Sequence, residues 1–207
     1  MFPKPDFIGA AKPIDDIDLP KIGHQIGVGE DEIHAVMDVE APGSGFDKLG
    51  RPKALFEPHK FYWGLTGAER QTAIARRLAY PKWGQAKYPM DSYPRIKAAM
   101  LINQEAALKA TSWGRGQVLG ANHLALNYQT ATAMVMAFLE DEEAHIQGMV
   151  DFIKANHIDD DLRTHNWAIF ARVYNGPGYA THGYHTRLAA AFAKWKKIRD
   201  TPFIPET

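Results

Sequence analysis

One acidic residue, Glu40, lies at the end of a predicted helix, where a carboxyl group could act as a general acid. It ends a segment beginning at Glu30 in which Ile33, Val36 and Met37 have the three-to-four-residue spacing of an amphipathic helix, and a Pro- and Gly-rich stretch follows at once. A carboxyl group at such a junction faces a cleft, is half desolvated and lies at the negative end of a helix dipole, which together raise its pKa. A raised pKa suits a general acid working near neutral pH. By position alone, a solvated glutamate at a helix end is the simpler interpretation.

A second segment, residues 112–120, combines glycines with polar side chains. Its glycines let the backbone approach a ligand, and Ser112 and Gln117 offer a hydroxyl and an amide to sugar hydroxyl groups. Trp113 lies inside this segment and could stack on a sugar ring. We expect these three residues to bind substrate, with Gln117 at the start of a short helix that runs to Asn122.

A third segment, residues 174–179, is predicted to be a rigid turn. Tyr174 and Tyr179 supply aromatic faces and hydroxyl groups, and Asn175 supplies an amide that suits an acetamido group. We expect these three residues to bind substrate as well. An ordinary turn between two helices would be the better interpretation if this segment stood alone.

These segments belong to a longer pattern that runs from residue 33 to residue 194. The stretches that carry it are 35–40, 43–46, 50–59, 105–108, 112–114 with Gln117, and 174–179 followed by 186–190. Together and in this order, they resemble the N-acetylmuramidase domain of phage endolysins, which is similar to goose-type lysozymes and soluble lytic transglycosylases.

The resemblance implies an α+β, mainly helical, lysozyme-like domain with a small β-hairpin lobe and a helical lobe. It also implies that the protein is an enzyme, a peptidoglycan hydrolase that causes host cell lysis. In this enzyme Glu40 would protonate the β-1,4 bond between N-acetylmuramic acid and N-acetylglucosamine. The usual Ser or Thr followed by Gly after the catalytic glutamate is replaced by Ala41 and Pro42.

A glycosidase ordinarily needs a second carboxylate, about 5–5.5 Å from the acid as a retaining nucleophile or about 6.5–9.5 Å away as an inverting base. Glu57 is the first candidate, because its strand should lie beside the cleft, and Asp47, on the preceding turn, is the second. Either side chain could instead be structural: Glu57 by bracing Arg51 or His59, and Asp47 as a solvated turn residue. Some enzymes in the similar families use the acetamido group of the substrate or a free water.

Two alternatives to hydrolysis stay open. A lytic transglycosylase would use the same acid but leave an anhydro-muramic end. A non-catalytic wall-binding phage protein could keep the fold after losing activity, and the changed Ala41-Pro42 step gives that idea some support. Against it, a binding protein has no need of a desolvated acid.

Composition narrows the partners and the cellular setting. The 207 residues have a net charge of zero, which disfavours binding to the negatively charged backbone of nucleic acid. They include no cysteine, which excludes disulfide bonds. The nine histidines lack metal-ligand spacing, so we expect no metal and no cofactor. We expect a monomer acting on peptidoglycan glycan strands. With no signal sequence recognised, we expect it to wait in the host cytoplasm until a holin-like partner gives it access to the periplasmic wall.

The order of elements predicts three parts. An N-terminal arm with a short helix covers 1–29, the catalytic domain covers 30–200, and a tail covers 201–207. Within the domain we expect a β-hairpin formed by strands at 55–56 and 61–63, and after it mostly helices. One of these helices is expected at 94–110, with Pro94 in its first position. The acidic run at 140–143 is expected to be the solvated face of the longest helix, at 130–156.

Overall fold

Helices make up about half of the described protein. The structure is a computed structural model that describes residues 2–40 and 42–205. A small antiparallel sheet of three strands joins the helices, which confirms the predicted α+β, mainly helical class. Within the described residues, no helix is both long and apolar enough to cross a membrane.

The N-terminal arm packs against the domain before the first helix, α1 (Asp18–His24), begins. Phe7 is fully buried, and its ring stacks 5.7 Å from that of Trp113. Further along, the backbone N–H groups of Ala11 and Lys12 donate to carbonyl oxygens at the end of a later helix, at 3.1 and 3.0 Å. The arm is therefore part of the core.

The helix that carries Glu40, α2 (Glu30–Glu40), is specified locally. Three acids fill its first turn, where the helix dipole favours negative charge, and Glu32 reaches back to accept a hydrogen bond from the N–H of Gly29 at 3.0 Å. One face, with Ile33 and Val36, is fully buried. The helix ends before Pro42, because a proline disfavours helical conformation in the residue before it.

The small lobe differs from the predicted hairpin. Strand β1 (Ala54–Phe56) is followed by helix α3 (Pro58–Gly64), so the predicted second strand at 61–63 is wrong. Pro58 occupies the first turn of this helix, a position that proline favours. The partner of β1 comes instead from β2 (Thr111–Trp113), which also pairs with β3 (Val118–Leu119).

The helices of the larger lobe are shorter than predicted, because polar caps divide them. Asn103 caps one new helix by accepting from Ala106 N at 2.9 Å, and Asp141 caps another by accepting from Ala144 N at 2.8 Å. The predicted helix from residue 117 is also wrong: β3 and a short 3-10 helix, Gly120–Asn122, stand there. The helices are α4 (Gly67–Ala75), α5 (Tyr93–Met100), α6 (Gln104–Lys109), α7 (Ala131–Glu140), α8 (Glu142–Ala155), α9 (Asp159–Arg163), α10 (Trp167–Asn175) and α11 (Tyr184–Trp195).

Two apolar clusters form the core. The first surrounds the sheet and includes Phe7, Trp113 and Phe138. The second lies between α1, α2, α8, α10 and α11 and includes Ile33, Met149 and Leu188. Helix α8 borders both clusters, since Ala144 and Phe152 pack on the first while its buried face belongs to the second. This helix therefore joins the two clusters.

Candidate active site

The carboxyl group of Glu40 meets the last residue of α10. Asn175 Nδ2 donates to Glu40 Oε2 at 2.7 Å. The second carboxyl oxygen, Glu40 Oε1, and the amide oxygen, Asn175 Oδ1, are buried and have no hydrogen-bond partner among the described residues. Because the amide N–H occupies Oε2, a proton on the carboxyl group belongs on Oε1.

The surroundings of Glu40 bring its pKa close to neutral pH. Burial raises its pKa from 4.5 to about 7, against the opposing effects of the hydrogen bond from Asn175 and the positive charge of Arg187. A carboxyl group with this pKa is half protonated near pH 7, as a general acid needs to be.

Helix α11 places Arg187 and fixes α2. Arg187 Nη2 donates to the backbone oxygen of Val39 at 3.1 Å, so its charge lies beside the end of α2. Further along, Trp195 Nε1 donates to Asp38 Oδ2 at 2.7 Å, and the indole ring stacks on His34 with 3.8 Å between centroids. We did not predict Arg187 as a site residue. The only signal was its place in the matching stretch 186–190.

The two tyrosines of the 174–179 segment have different positions. Tyr174 lies in the last turn of α10, stacked on Phe170 at 5.5 Å, and its hydroxyl group donates to Gly116 O at 3.5 Å. Burial and then the charge of Glu40 raise the pKa of Tyr174, so this hydroxyl group lies near the acid. Tyr179 packs on the second cluster, with its ring 5.4 Å from that of His185.

Of the residues predicted from the 112–120 segment, two are buried in the sheet. Trp113 is 0 % exposed, and its indole N–H donates to Leu108 O at 3.0 Å. Its ring therefore packs in the core, and the prediction that it stacks on a sugar ring is wrong. Ser112 is buried in β2 between Leu55 and Leu119 of the neighbouring strands. Gln117, half-buried, closes the β2–β3 turn by donating to Gly114 O at 2.9 Å.

The two candidates for a second carboxylate each have a partner of their own. Asp47 accepts from Arg51 Nε at 2.7 Å and from two backbone N–H groups. Burial would raise the pKa of Asp47, but these bonds and the charge of Arg51 hold it below its usual range. Glu57 follows β1, and its Oε2 lies 3.5 Å from His59 Nδ1. Neither side chain hydrogen-bonds to Glu40, and a catalytic role for either stays a prediction.

The described site therefore brings together Glu40, Asn175, Tyr174 and Arg187, from three helices. The changed residue Ala41, next to the acid, lies outside the described residues. The arrangement holds one half-protonated carboxyl group, with no other carboxylate among the groups that shift its pKa. A buried acid that can donate a proton to a leaving oxygen is the central requirement of a glycosidase.

Comparison with known proteins agrees with this chemistry. The family model described as N-acetylmuramidase matches residues 30–196. Among solved structures, the endolysin of Burkholderia phage AP3 matches with a TM-score of 0.83 and 33% sequence identity, over 90% of this chain and 73% of that one. No protein with a curated description matches the chain.

The fold and the buried acid define a lysozyme-type glycoside hydrolase. The family match covers most of the chain, and the chain belongs to the N-acetylmuramidase family. The predicted family, the lysozyme-like fold and the enzyme class are thereby confirmed.

Proposed function

We propose that this protein cleaves the β-1,4 bond between N-acetylmuramic acid and N-acetylglucosamine in peptidoglycan, with Glu40 as the general acid. The observation that carries the proposal is the buried carboxyl group of Glu40, with its pKa near 7 and one oxygen held by Asn175. The proton on Oε1 passes to the glycosidic oxygen as that bond breaks, and water completes hydrolysis.

The second carboxylate remains a choice between two residues. Asp47 stays ionised, because its hydrogen bonds with Arg51 hold its pKa low, and a charged group is what a base or nucleophile requires. Glu57 is favoured by its place directly after β1, at the edge of the sheet. We expect Asp47→Asn or Glu57→Gln to abolish turnover, and the anomer that the wild type releases would identify a retaining or an inverting reaction.

The substrate contacts follow from the same arrangement. We propose that Tyr179 and the Gln117 turn bind the glycan, that Ser112 supports this turn from within the sheet, and that Tyr174 and Asn175 act mainly by orienting the acid. An Asn175→Ala variant should therefore lose kcat more than it raises KM, which steady-state kinetics on soluble glycan fragments would measure.

The decisive experiment is mass spectrometry of fragments released from purified peptidoglycan by the wild type and by Glu40→Gln. Reducing muramic ends that vanish in the variant support the proposal. Anhydro-muramic ends would identify a lytic transglycosylase that uses the same acid. Equal release by both proteins would overturn the role of Glu40. Wall binding without cleavage would indicate a non-catalytic wall protein.

Host lysis forms part of the proposal. The enzyme would reach periplasmic peptidoglycan from the host cytoplasm through a holin-like partner, and would act as a monomer. Expression with and without a holin tests the route: lysis only with the holin supports it, and lysis by the enzyme alone contradicts it. Sedimentation measures the oligomeric state.

A further inference from the structure

Glu142 is a buried carboxylate outside the proposed catalytic set. It is 3 % exposed in the first turn of α8, although the acidic run at 140–143 was predicted to be a solvated face. The first turn of a helix favours negative charge, which offsets part of the cost of burying it. The rest must come from its partners.

Those partners belong to two separate loops. Glu142 Oε1 accepts the backbone N–H of Gly45, in the loop that follows Glu40. The same oxygen accepts from Arg115 Nη1 at 3.2 Å, and Arg115 lies in the turn between β2 and β3. One oxygen atom on α8 therefore contacts both loops.

A neutral histidine completes this contact. His145 Nε2 donates to Phe138 O at 2.7 Å, so its Nδ1 is the acceptor of the Arg115 backbone N–H at 3.3 Å. Burial lowers the pKa of His145 to about 4, which keeps this arrangement neutral. A Cβ at Gly45 or Gly114 would lie 2.4 or 2.8 Å from the imidazole ring, so only glycine fits against it.

Both loops also connect with the acid. The loop with Gly45 continues from the end of α2, while Gly116 in the β2–β3 turn accepts from the Tyr174 hydroxyl group. Tyr174 directly precedes Asn175, which holds Glu40. A shift of the 114–117 turn therefore displaces the acceptor of the Tyr174 hydroxyl group, and a shift of the 43–46 loop acts on the chain that leaves α2.

We propose that Glu142 is a positioning residue that holds the 43–46 loop and the 114–117 turn together as one rigid floor beside Glu40. Its effect on catalysis rests on the proposed muramidase function, whereas its effect on the loops does not. Small displacements of aligned groups reduce rates strongly, so this carboxylate matters although it lies outside the proposed catalytic set.

The test compares Glu142→Gln with two further full-length variants. Glu142→Gln weakens the bond to Gly45, because a neutral amide oxygen is a poorer acceptor than a carboxylate, and it leaves the Arg115 charge without its counter-ion, which alone could destabilise the fold. The double variant Glu142→Gln with Arg115→Met removes that unpaired charge. Asp141→Ala is the matched control, because Asp141 caps the same helix through Ala144 N.

Amide hydrogen exchange measures directly how firmly the 43–46 loop and the 114–117 turn are held. We expect amides at 43–46 and 114–117 to exchange about ten-fold faster in both Glu142 variants, with α2 unchanged and with both loops unchanged in Asp141→Ala. The double variant should recover the melting temperature of the wild type but not the slow exchange. Unchanged exchange in both Glu142 variants would overturn the proposal.

Kinetics on peptidoglycan fragments measures how loosening these loops affects catalysis. We expect kcat/KM to fall about ten-fold in both Glu142 variants. The basic limb of the pH profile should stay in place, since Glu142 is not among the groups that shift the pKa of Glu40. An equal fall in Asp141→Ala, or full activity with loosened loops, would overturn the positioning role. If the wild type released nothing, the proposed function would fail, and the exchange data would still decide whether Glu142 holds the loops.

Discussion

At the scale of single residues, the pKa of Glu40 results from opposing effects. Burial raises it, while the Asn175 hydrogen bond and the Arg187 charge lower it without cancelling the effect of burial. Near pH 7 the carboxyl group of Glu40 can therefore both donate a proton and take one up again after each catalytic cycle. Its activity should be present below its pKa and decline as the pH rises above about 7.

Replacing Arg187 with Met should move this decline to higher pH. Loss of a positive charge near the carboxyl group raises the pKa of Glu40 further, and for an exposed charge we expect about half a pH unit. The measurement is kcat/KM against pH for both proteins. Because salt screens exposed charges, the difference should shrink in 0.5 M salt, roughly a 4 Å screening length. A limb that moves to lower pH would contradict the assignment.

Glu40→Gln should stabilise the protein at alkaline pH. In the wild type the folded pKa of about 7 lies above the ordinary value of 4.5, so the folded state loses stability as the pH rises through 7. The shift corresponds to about 3 kcal/mol, which the variant retains. Urea unfolding should show a small gain at pH 5 and the full gain at pH 8. Asp6→Asn, which removes an exposed acid, is the control. Equal gains at both pH values would refute this account.

At the scale of elements, the N-terminal arm and α11 hold the parts of the fold that carry the site. Helix α11 fixes α2 through hydrogen bonds to Val39 and Asp38 and through Trp195 stacking. The arm inserts Phe7 between Trp113 and Tyr93. The catalytic helix and the sheet behind the β2–β3 turn are therefore each held by a segment near one end of the described chain.

Phe7→Ala should destabilise the fold by about 3–5 kcal/mol, because it leaves a cavity next to Trp113. Its neighbour Ile8 is 51 % exposed, and Ile8→Ala should cost less than about 1 kcal/mol. Urea unfolding followed by circular dichroism measures both. Similar values for the two variants would show that the arm is not a core element.

At the scale of the whole molecule, α8 belongs to both apolar clusters. A helix shared in this way couples the two halves, since neither cluster keeps its contacts when α8 leaves. The clusters meet where Tyr174, which packs on the second, contacts Phe152 of α8, which packs on the first, with 5.5 Å between their ring centroids.

We therefore expect a single unfolding transition. Fluorine-labelled tryptophan gives separate signals for Trp113, in the first cluster, and for Trp195, which packs on α2. Their midpoints in urea should coincide, as two-state unfolding requires. Two separated midpoints would mean that the lobes unfold independently.

The sequence by itself was enough to predict the family, the mainly helical fold, and Glu40 at the end of α2. The family followed from the resemblance of several stretches in the same order, while the helices and the end of α2 depend on local information: the spacing of apolar residues, acids in a first turn, and a proline that ends a helix. The division of the longer helices at Asn103 and Asp141 was missed, because a capping side chain looks like any other polar residue until its partner is known.

Only the tertiary structure decided which groups surround the acid. The 54–56 strand pairs with 111–113 and not with its neighbour in the chain, because pairing depends on which edges meet in space. Arg187 and Asn175 lie more than 130 residues from Glu40 in sequence, yet both lower the pKa that burial of the carboxyl group raises. Likewise, nothing local separates the buried Glu142 from the acids beside it. Burial and charge pairing are properties of the folded chain, and they determine the chemistry of this site.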